Sequence, residues 1–114
     1  MKPDLRPILG QTVTVTIDRP LGSAHPRHPD IVYPVNYGFL PGVTGGDGEE
    51  QDVYILGVDV PIERFTGNVI AIVHRTDDDE DKLVAAPAGR QFSEAEIEAA
   101  LRFQEQYFPH TIQR

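Results

Sequence analysis

Between Gln11 and Ile17 the chain alternates without a break. Val13, Val15 and Ile17 fall on one face and Thr12, Thr14 and Thr16 on the other, the two-residue period of a half-buried strand. Asp18-Arg19-Pro20 ends it. Ile31 to Tyr37 reads as a second strand, with an edge or bulge at Pro34 because proline cannot donate to a ladder. Pro41 to Gly48 reads as a glycine-rich turn, and Asp52 to Leu56 as a third strand. Val58 to Thr66, with Pro61, is irregular. Gly67 to His74 is a fourth strand, apolar enough for burial on both faces, and Lys82 to Ala86 is a fifth. The first ten residues, broken by Pro3, Pro7 and Gly10, are a lead-in, and Leu21 to Asp30 is a loop.

One helix follows. Ser93 and Glu96 form a capping box, and Phe92 and Ile97 can close a hydrophobic staple. Ile97, Ala100, Leu101, Gln104 and Phe108 share one face, and Pro109 ends the helix. Five short strands with turn-rich links and one C-terminal amphipathic helix predict a mainly β (α+β) fold. The expected form is a small Greek-key barrel plugged or flanked by that helix, with residues 1–114 as a single domain.

Composition narrows the function. There is no Cys, which excludes disulfides, thiolate metal sites and cysteine nucleophiles. No apolar run is long enough to cross a bilayer, and Met1-Lys2-Pro3-Asp4 lacks the apolar region of a signal peptide. No membrane partner and a cytoplasmic location are therefore expected. A net charge of -8 argues against nucleic acid, whose binding needs a basic surface. An anionic small substrate remains compatible where metal ions and a few Lys, Arg or Tyr groups reverse the field locally.

Charge is also unevenly placed. Of the 18 acidic residues, 11 lie between Asp47 and Asp81, against Arg64 and Arg75. In Asp47-Gly48-Glu49-Glu50-Gln51-Asp52, the carboxylates of Asp47, Glu49 and Asp52 meet at one loop-to-strand junction. They form either an acidic turn in water or, with divalent cations, an oxygen-ligand site that can activate water. Asp77 to Asp81 alone would be a solvated charge run. Lys82 directly after it can neutralise phosphate charge in the same cleft. The His25-Pro26-Arg27-His28-Pro29 run reads as a semi-rigid connector rather than a histidine metal site, while the Arg27 guanidinium can hold a phosphate oxygen bidentately. Tyr33, Tyr37 and Tyr107 are either core or edge aromatics or hydroxyl donors to an anion.

Taken in series, Tyr33-Pro34-x-Asn36-Tyr37-Gly38, Asp47-Gly48-Glu49-x-x-Asp52 and Lys82-Leu83-Val84-x-x-Pro87 resemble the family I (soluble) inorganic pyrophosphatases, in particular their shortened bacterial members. The resemblance runs from about Thr12 to Tyr107. It implies a five-stranded OB-like barrel and hydrolysis of pyrophosphate with Mg²⁺, Mn²⁺ being an alternative. It also implies metal ligation by Asp47, Asp52 and Glu80, with Asp77 or Asp78 binding further metal. Glu49 matches the position of the proton acceptor for the attacking water, and Lys82, Tyr33 and Tyr107 match phosphate contacts. Tyr37 matches a tyrosine that orients the carboxylates, and Asp18 an acidic residue at the end of the first strand. Family members are often homo-oligomers. The chain departs from the pattern too. The hairpin after the first strand, with its Lys and Glu, is missing. Phe108 stands where the family has a Lys, and Arg27 is the nearest candidate for the family's Arg. The lost cations leave one other reading, a non-catalytic metal- and phosphate-binding descendant, and the shorter walls leave another, a hydrolase of a different and bulkier phosphate ester or anhydride.

Overall fold

A computed structural model of the chain describes residues 2–114. Its strands are β1 (Thr12–Arg19), β2 (Asn36–Thr44), β3 (Glu50–Ile55), β4 (Arg64–Arg75), β5 (Lys82–Ala86) and β6 (His110–Gln113), with one α-helix, α1 (Glu94–Glu105). Hydrogen bonding runs in the order β1-β2-β3-β5-β4-β6, and a further β1–β4 pairing closes the first five strands into a barrel. All neighbours are antiparallel except β3 and β5.

Side-chain parity builds two cores. Val15, Ile17, Leu40, Val53, Ile55, Val69, Ile72, Leu83 and Ala85 fill the barrel with Phe65, and Leu5 packs among them. The alternate residues Tyr37, Tyr54, Ala71, Val73 and Val84 face outward, where Ile97 and Leu101 of α1 and the loop residue Tyr33 cover them. The helix therefore flanks the barrel and does not plug it. Its capping box forms as read: Ser93 accepts from the Glu96 N–H and the Glu96 side chain accepts from Ser93 N–H. Such a cap stabilises by about 1 kcal/mol. Burial of Ile97 and Leu101, at 0% and 1% exposure, contributes roughly 1.5–3 kcal/mol apiece, so packing decides where the helix sits.

Four local expectations are corrected. The second strand is not Ile31–Tyr37 but Asn36–Thr44. Pro34 keeps the ladder from starting, and before it only an isolated bridge, Ala24 to Val32, forms. The expected turn at Pro41-Gly42 is a bulge inside β2, with Gly42 at φ 81° and a register shift between Leu40 and Thr44. β4 begins at Arg64, within the stretch read as irregular, because β1 supplies its partner: Val15 pairs with Phe65 and Thr16 with Arg64. The helix ends at Glu105, ahead of Phe108, and β6 follows it on the edge of β4. β5 occupies the expected residues, Lys82–Ala86. In the lead-in, Arg6–Ile8 form a single 3-10 turn that brings Leu5 to the barrel interior.

Candidate active site

The outward parity that exposes Tyr54 and Val84 to the helix also sets Asp52 and Lys82 on that side of the barrel. Val53 pairs with Leu83 in the parallel β3–β5 ladder, so Asp52 and Lys82 stand one step before that pair. Tyr37 of β2 lies opposite Tyr54. The three side chains meet: Lys82 Nζ donates to Asp52 Oδ2 at 2.6 Å and to the Tyr37 hydroxyl at 2.8 Å. Glu80 contacts the same ammonium. Lys82 is only 4% exposed, against 28% for Asp52 and 17% for Glu80. Burial lowers the Lys82 pKa and the Asp52 carboxylate opposes the shift. Burial first, then the Asp52 charge, pushes the Tyr37 hydroxyl well above its ordinary value, so it remains protonated.

These groups form one wall of a cavity of about 580 Å³. Asp52, Glu80, Lys82, Tyr37 and Arg75 lie on the barrel side, and Arg19, His25, Arg27 and His28 approach from β1 and the following loop. The loop is held in place by backbone bonds from Gly22 to Tyr33, Tyr33 to Ser23 and His25 to Ile31. The stretch read as a connector thus builds a wall of mixed charge, with Arg27 and Asp30 both facing the cavity beside the two imidazoles. Tyr107, 64% exposed, and Phe108 complete the rim. A smaller cleft of about 210 Å³ opens on the other side of Asp52, lined by Asp18, Glu49, Glu50 and Phe39. Desolvation and the Asp52 charge raise the Asp18 pKa, with Arg19 and Lys82 opposing.

Other expected residues are placed differently. Tyr33 is fully buried and does not line the cavity. The loop folds over it, and its hydroxyl accepts from Arg19 Nη1 at 3.3 Å and donates to Gln104 Oε1 at 3.2 Å. Asp47 is exposed on its turn, where Oδ1 accepts the Glu49 N–H at 3.0 Å. Asp77 is exposed, whereas Asp78 is taken by Arg75 Nη1 at 3.2 Å. The five carboxylates expected as metal ligands therefore do not form one cluster. The acidic run is not simply solvated either. Asp81 is 5% exposed and holds Lys2 at 2.7 Å, His74 at 3.0 Å and the Arg75 N–H at 3.1 Å. The turn at 45–48 touches this run, because Gly46 lacks a Cβ: one built there would stand 1.8 Å from the Asp79 carbonyl.

Two polar residues escaped the sequence reading. Glu105, 1% exposed, receives Arg75 Nε at 3.1 Å, Arg75 Nη2 at 2.6 Å and the Tyr54 hydroxyl at 2.6 Å. Its only sequence signal is an i+4 step from Leu101 along the buried face of α1. Arg19 was read as part of a strand terminator, yet β1 continues through it. The alternation of Val13, Val15 and Ile17, carried two residues on, would turn Arg19 into the barrel; the register shift between Ile17 and Arg19 sets it on the outer face opposite Tyr37 instead, which no local pattern signals.

Among the described residues no three His, Cys, Asp or Glu side chains gather into a metal cage. Asp52 and Glu80 each give one oxygen, Oδ2 and Oε1, to the Lys82 ammonium, so an ion held by this pair would sit beside that ammonium on their other oxygens. Mg²⁺ is commonly held by one or two carboxylates together with substrate phosphates and water, and this all-oxygen pair fits that mode. A further acceptor, Gln51 Oε1, is buried without a partner. It lies 3.3 Å from the point where a Gly45 Cβ would stand, and Asp47 Oδ1 lies 3.5 Å from the same point.

Comparison with solved structures finds the same fold in bacterial enzymes. An inorganic pyrophosphatase from Neisseria gonorrhoeae is 24% identical with a TM-score of 0.67, covering 91% of this chain and 81% of that one. The inorganic pyrophosphatase from Ehrlichia chaffeensis is 16% identical with a TM-score of 0.69, covering 92% and 86%. That from Thermus thermophilus is 18% identical with a TM-score of 0.61, covering 100% and 85%. No curated protein sequence matches significantly. The profile described as inorganic pyrophosphatase matches residues 11–112, nearly the whole chain, and the chain therefore belongs to the inorganic pyrophosphatase family of pyrophosphate hydrolases.

Proposed function

We propose that the chain hydrolyses inorganic pyrophosphate to two phosphates, with Mg²⁺ as activating ion and Mn²⁺ as its alternative. The observation that carries this reading is the meeting of Lys82 with Asp52, Glu80 and Tyr37 on a cavity that Arg19 and Arg27 also face, in a protein of net charge -8. Asp52 and Glu80 would hold the ion; Asp47 and Asp77, also expected as ligands, line neither cavity. When bound, the ion lowers the pKa of a coordinated water and screens phosphate charge. Asp78, already paired with Arg75, is the poorer ligand.

Glu49 lines the small cleft, which shares Asp52 with the large cavity, and would take the proton of an attacking water at that shared boundary. The water oxygen bonds to one phosphorus as the bridging P–O bond breaks, and the departing phosphate keeps the electron pair. Lys82, Arg27 and Tyr107 face the cavity and offset the negative charge on the phosphate groups. Tyr37 keeps the Lys82 ammonium in place through its hydroxyl, which accepts from Lys82 Nζ. Tyr33, being buried, acts through its neighbours and does not touch substrate.

Phosphate release from pyrophosphate, with and without Mg²⁺, is the test. Release should depend on the ion and fall roughly 10²-fold or more in Asp52→Asn. Release from the wild type that is no greater than from Asp52→Asn rejects the reading. A cavity of about 580 Å³ also falls in the range of roughly 300–1,000 Å³ that houses much larger ligands. That observation favours a second reading, hydrolysis of a bulkier phosphoric anhydride or ester, which a substrate panel at fixed Mg²⁺ separates from the first.

A further inference from the structure

Four cationic side chains reach the large cavity, and they differ in how far they are already engaged. Lys82 is shared among Asp52, Glu80 and Tyr37. Arg75 is forked onto Glu105, bonded to Asp78 and stacked with its guanidinium 3.8 Å from the centre of the Phe108 ring. Arg27 is exposed on its loop, and only its backbone N–H is bonded, to His25 Nδ1 at 3.1 Å. Arg19 is half-buried. Its guanidinium lies 5.7 Å from the Tyr37 ring centre and 6.0 Å from that of Tyr33, both within the reach of a cation–π contact. Among the described residues its one side-chain hydrogen bond goes to the Tyr33 hydroxyl at 3.3 Å, and it belongs to none of the ion pairs. A guanidinium has five donors, so most of Arg19's remain unused where the side chain lines the cavity.

We infer that Arg19 is the guanidinium that grips a phosphate group of the substrate, in the cavity it shares with Lys82, and that Tyr33 is its positioning residue. The inference rests on the hydrolase reading above and adds a residue to which the motif resemblance assigns no role. Both cations stand near the Tyr37 ring, whose centre is 5.7 Å from the Arg19 guanidinium carbon and 5.5 Å from Lys82 Nζ, and both line the same cavity. A two-phosphate anion in that cavity can meet both. The strand geometry supplies what an exposed Arg27 lacks. Arg19 is the last residue of β1 and is paired with Tyr37 of β2 just past a register shift. Its stem is therefore set by the barrel rather than by a loop, and less side-chain freedom is lost on binding.

The orientation of the Tyr33 hydroxyl is also determined, by a chain of hydrogen bonds that starts at a buried carboxylate. Glu105 Oε2 only accepts, so the Tyr54 hydroxyl donates to it at 2.6 Å. Tyr54 oxygen is then the acceptor for Gln104 Nε2 at 2.6 Å, which turns Gln104 Oε1 toward the Tyr33 hydroxyl at 3.2 Å. Tyr33 spends its proton on Gln104 and presents its oxygen to Arg19. Each link fixes the polarity of the next. The fully buried Tyr33 of the Tyr33-Pro34-Val35-Asn36-Tyr37-Gly38 stretch thus serves the cavity at one remove.

The test compares wild type with Arg19→Gln, Arg19→Lys, Arg27→Gln, Tyr33→Phe and the Arg19→Gln/Tyr33→Phe double variant. Two quantities are read: KM and kcat for pyrophosphate hydrolysis, and calorimetric affinity for pyrophosphate without divalent ions. Arg19→Gln should weaken affinity roughly 10–100-fold, as expected for loss of a charge-assisted contact, and more than Arg27→Gln does. Arg19→Lys should recover part of the loss. Tyr33→Phe should raise KM by a smaller factor that vanishes in the Arg19→Gln background, a coupling that a merely structural tyrosine would not produce. Should Arg19→Gln fail to fold, Arg19→Lys decides: weakened binding supports the inference and wild-type binding overturns it. Wild-type affinity in a folded Arg19→Gln also overturns it while leaving the hydrolase reading intact. Arg19-dependent binding without turnover keeps the inference and removes the hydrolase reading. A wild type that neither binds nor hydrolyses pyrophosphate removes both.

Discussion

Lys82 Nζ and Asp52 Oδ2 lie 2.6 Å apart although 30 positions separate the residues in the chain. The parallel pairing of β3 with β5 creates the contact, since Val53 opposite Leu83 puts the preceding residues side by side. Replacing Lys82 by Met should leave Asp52 and Glu80 without their shared cation and remove a charge from the cavity. Turnover of pyrophosphate is expected to fall roughly 10²–10³-fold, the scale for loss of one preorganised electrostatic donor. Lys82→Arg keeps the charge but brings a wider fork, so it should recover only part of the rate. Steady-state assays on the two variants decide this, and near-normal kcat/KM in Lys82→Met would remove Lys82 from the machinery.

The Arg75–Glu105 pair is the most buried ion pair among the described residues, at 5% and 1% exposure. Burial and then the Glu105 charge also push the Tyr54 hydroxyl well above its ordinary pKa. Glu105→Gln leaves a guanidinium in the interior with only Asp78 as a charged partner. The expected loss is about 3–5 kcal/mol, seen as a lower urea midpoint at unchanged slope. A midpoint within error of wild type would mean that solvent or a rearranged Asp78 compensates.

Gly46 and Gly48 sit two residues apart and should respond differently to Ala. At Gly46 the added methyl meets the Asp79 carbonyl at 1.8 Å, so the turn and the acidic run must separate. At Gly48 there is open space but φ is 86°, and the cost is conformational, about 1–2 kcal/mol. Gly46→Ala is therefore expected to reduce kcat/KM more than Gly48→Ala, because it moves Asp47 and Glu80 relative to one another. Equal activities in the pair would show that this contact does not matter for the site.

His110 links the end of the chain to α1. Its Nε2 lies 2.6 Å from Glu98 Oε1 and its Nδ1 2.7 Å from the Phe108 carbonyl. Partial burial alone would lower its pKa, but the two acceptors outweigh burial and raise it above 6.5. A folded-state pKa above the unfolded one stabilises fully below pH 6.5, and the contribution disappears as pH rises through the folded value. Glu98→Gln should therefore cost up to about 1 kcal/mol near pH 5.5 and almost nothing near pH 8.5. Urea titrations at both pH values check it, and a gap that does not shrink with rising pH would exclude this pair as its source.

Much of the architecture was legible in local pattern. The Val13/Val15/Ile17 alternation, the Lys82–Ala86 run and the Ser93/Glu96 cap each depend on residues within a few positions of one another, and each stands where the pattern put it. Parts of the Tyr33-to-Gly38 stretch also have physical causes that single residues reveal only in the fold. Asn36 ties Leu21, Val60 and Ile62 together, and Gly38 is needed because a Cβ there would stand 1.9 Å from the Thr16 carbonyl.

Other features were decided by distant neighbours. β2 starts at Asn36 because Pro34 blocks the earlier ladder and β3 provides a partner as far as Thr44. β4 reaches back to Arg64 because β1 closes the barrel against it. Periodicity tells a residue which face it occupies, not which side chains will share that face. Hence the chain by itself determined an acidic, one-helix, strand-rich domain with carboxylates grouped near Lys82. Only the tertiary structure decided that Asp78 and Glu105 are consumed by Arg75, that Tyr33 is buried beneath Arg19, and that Arg19 is left with donors to offer. The physical reason is that a charge is spent or free according to what the folded chain packs beside it.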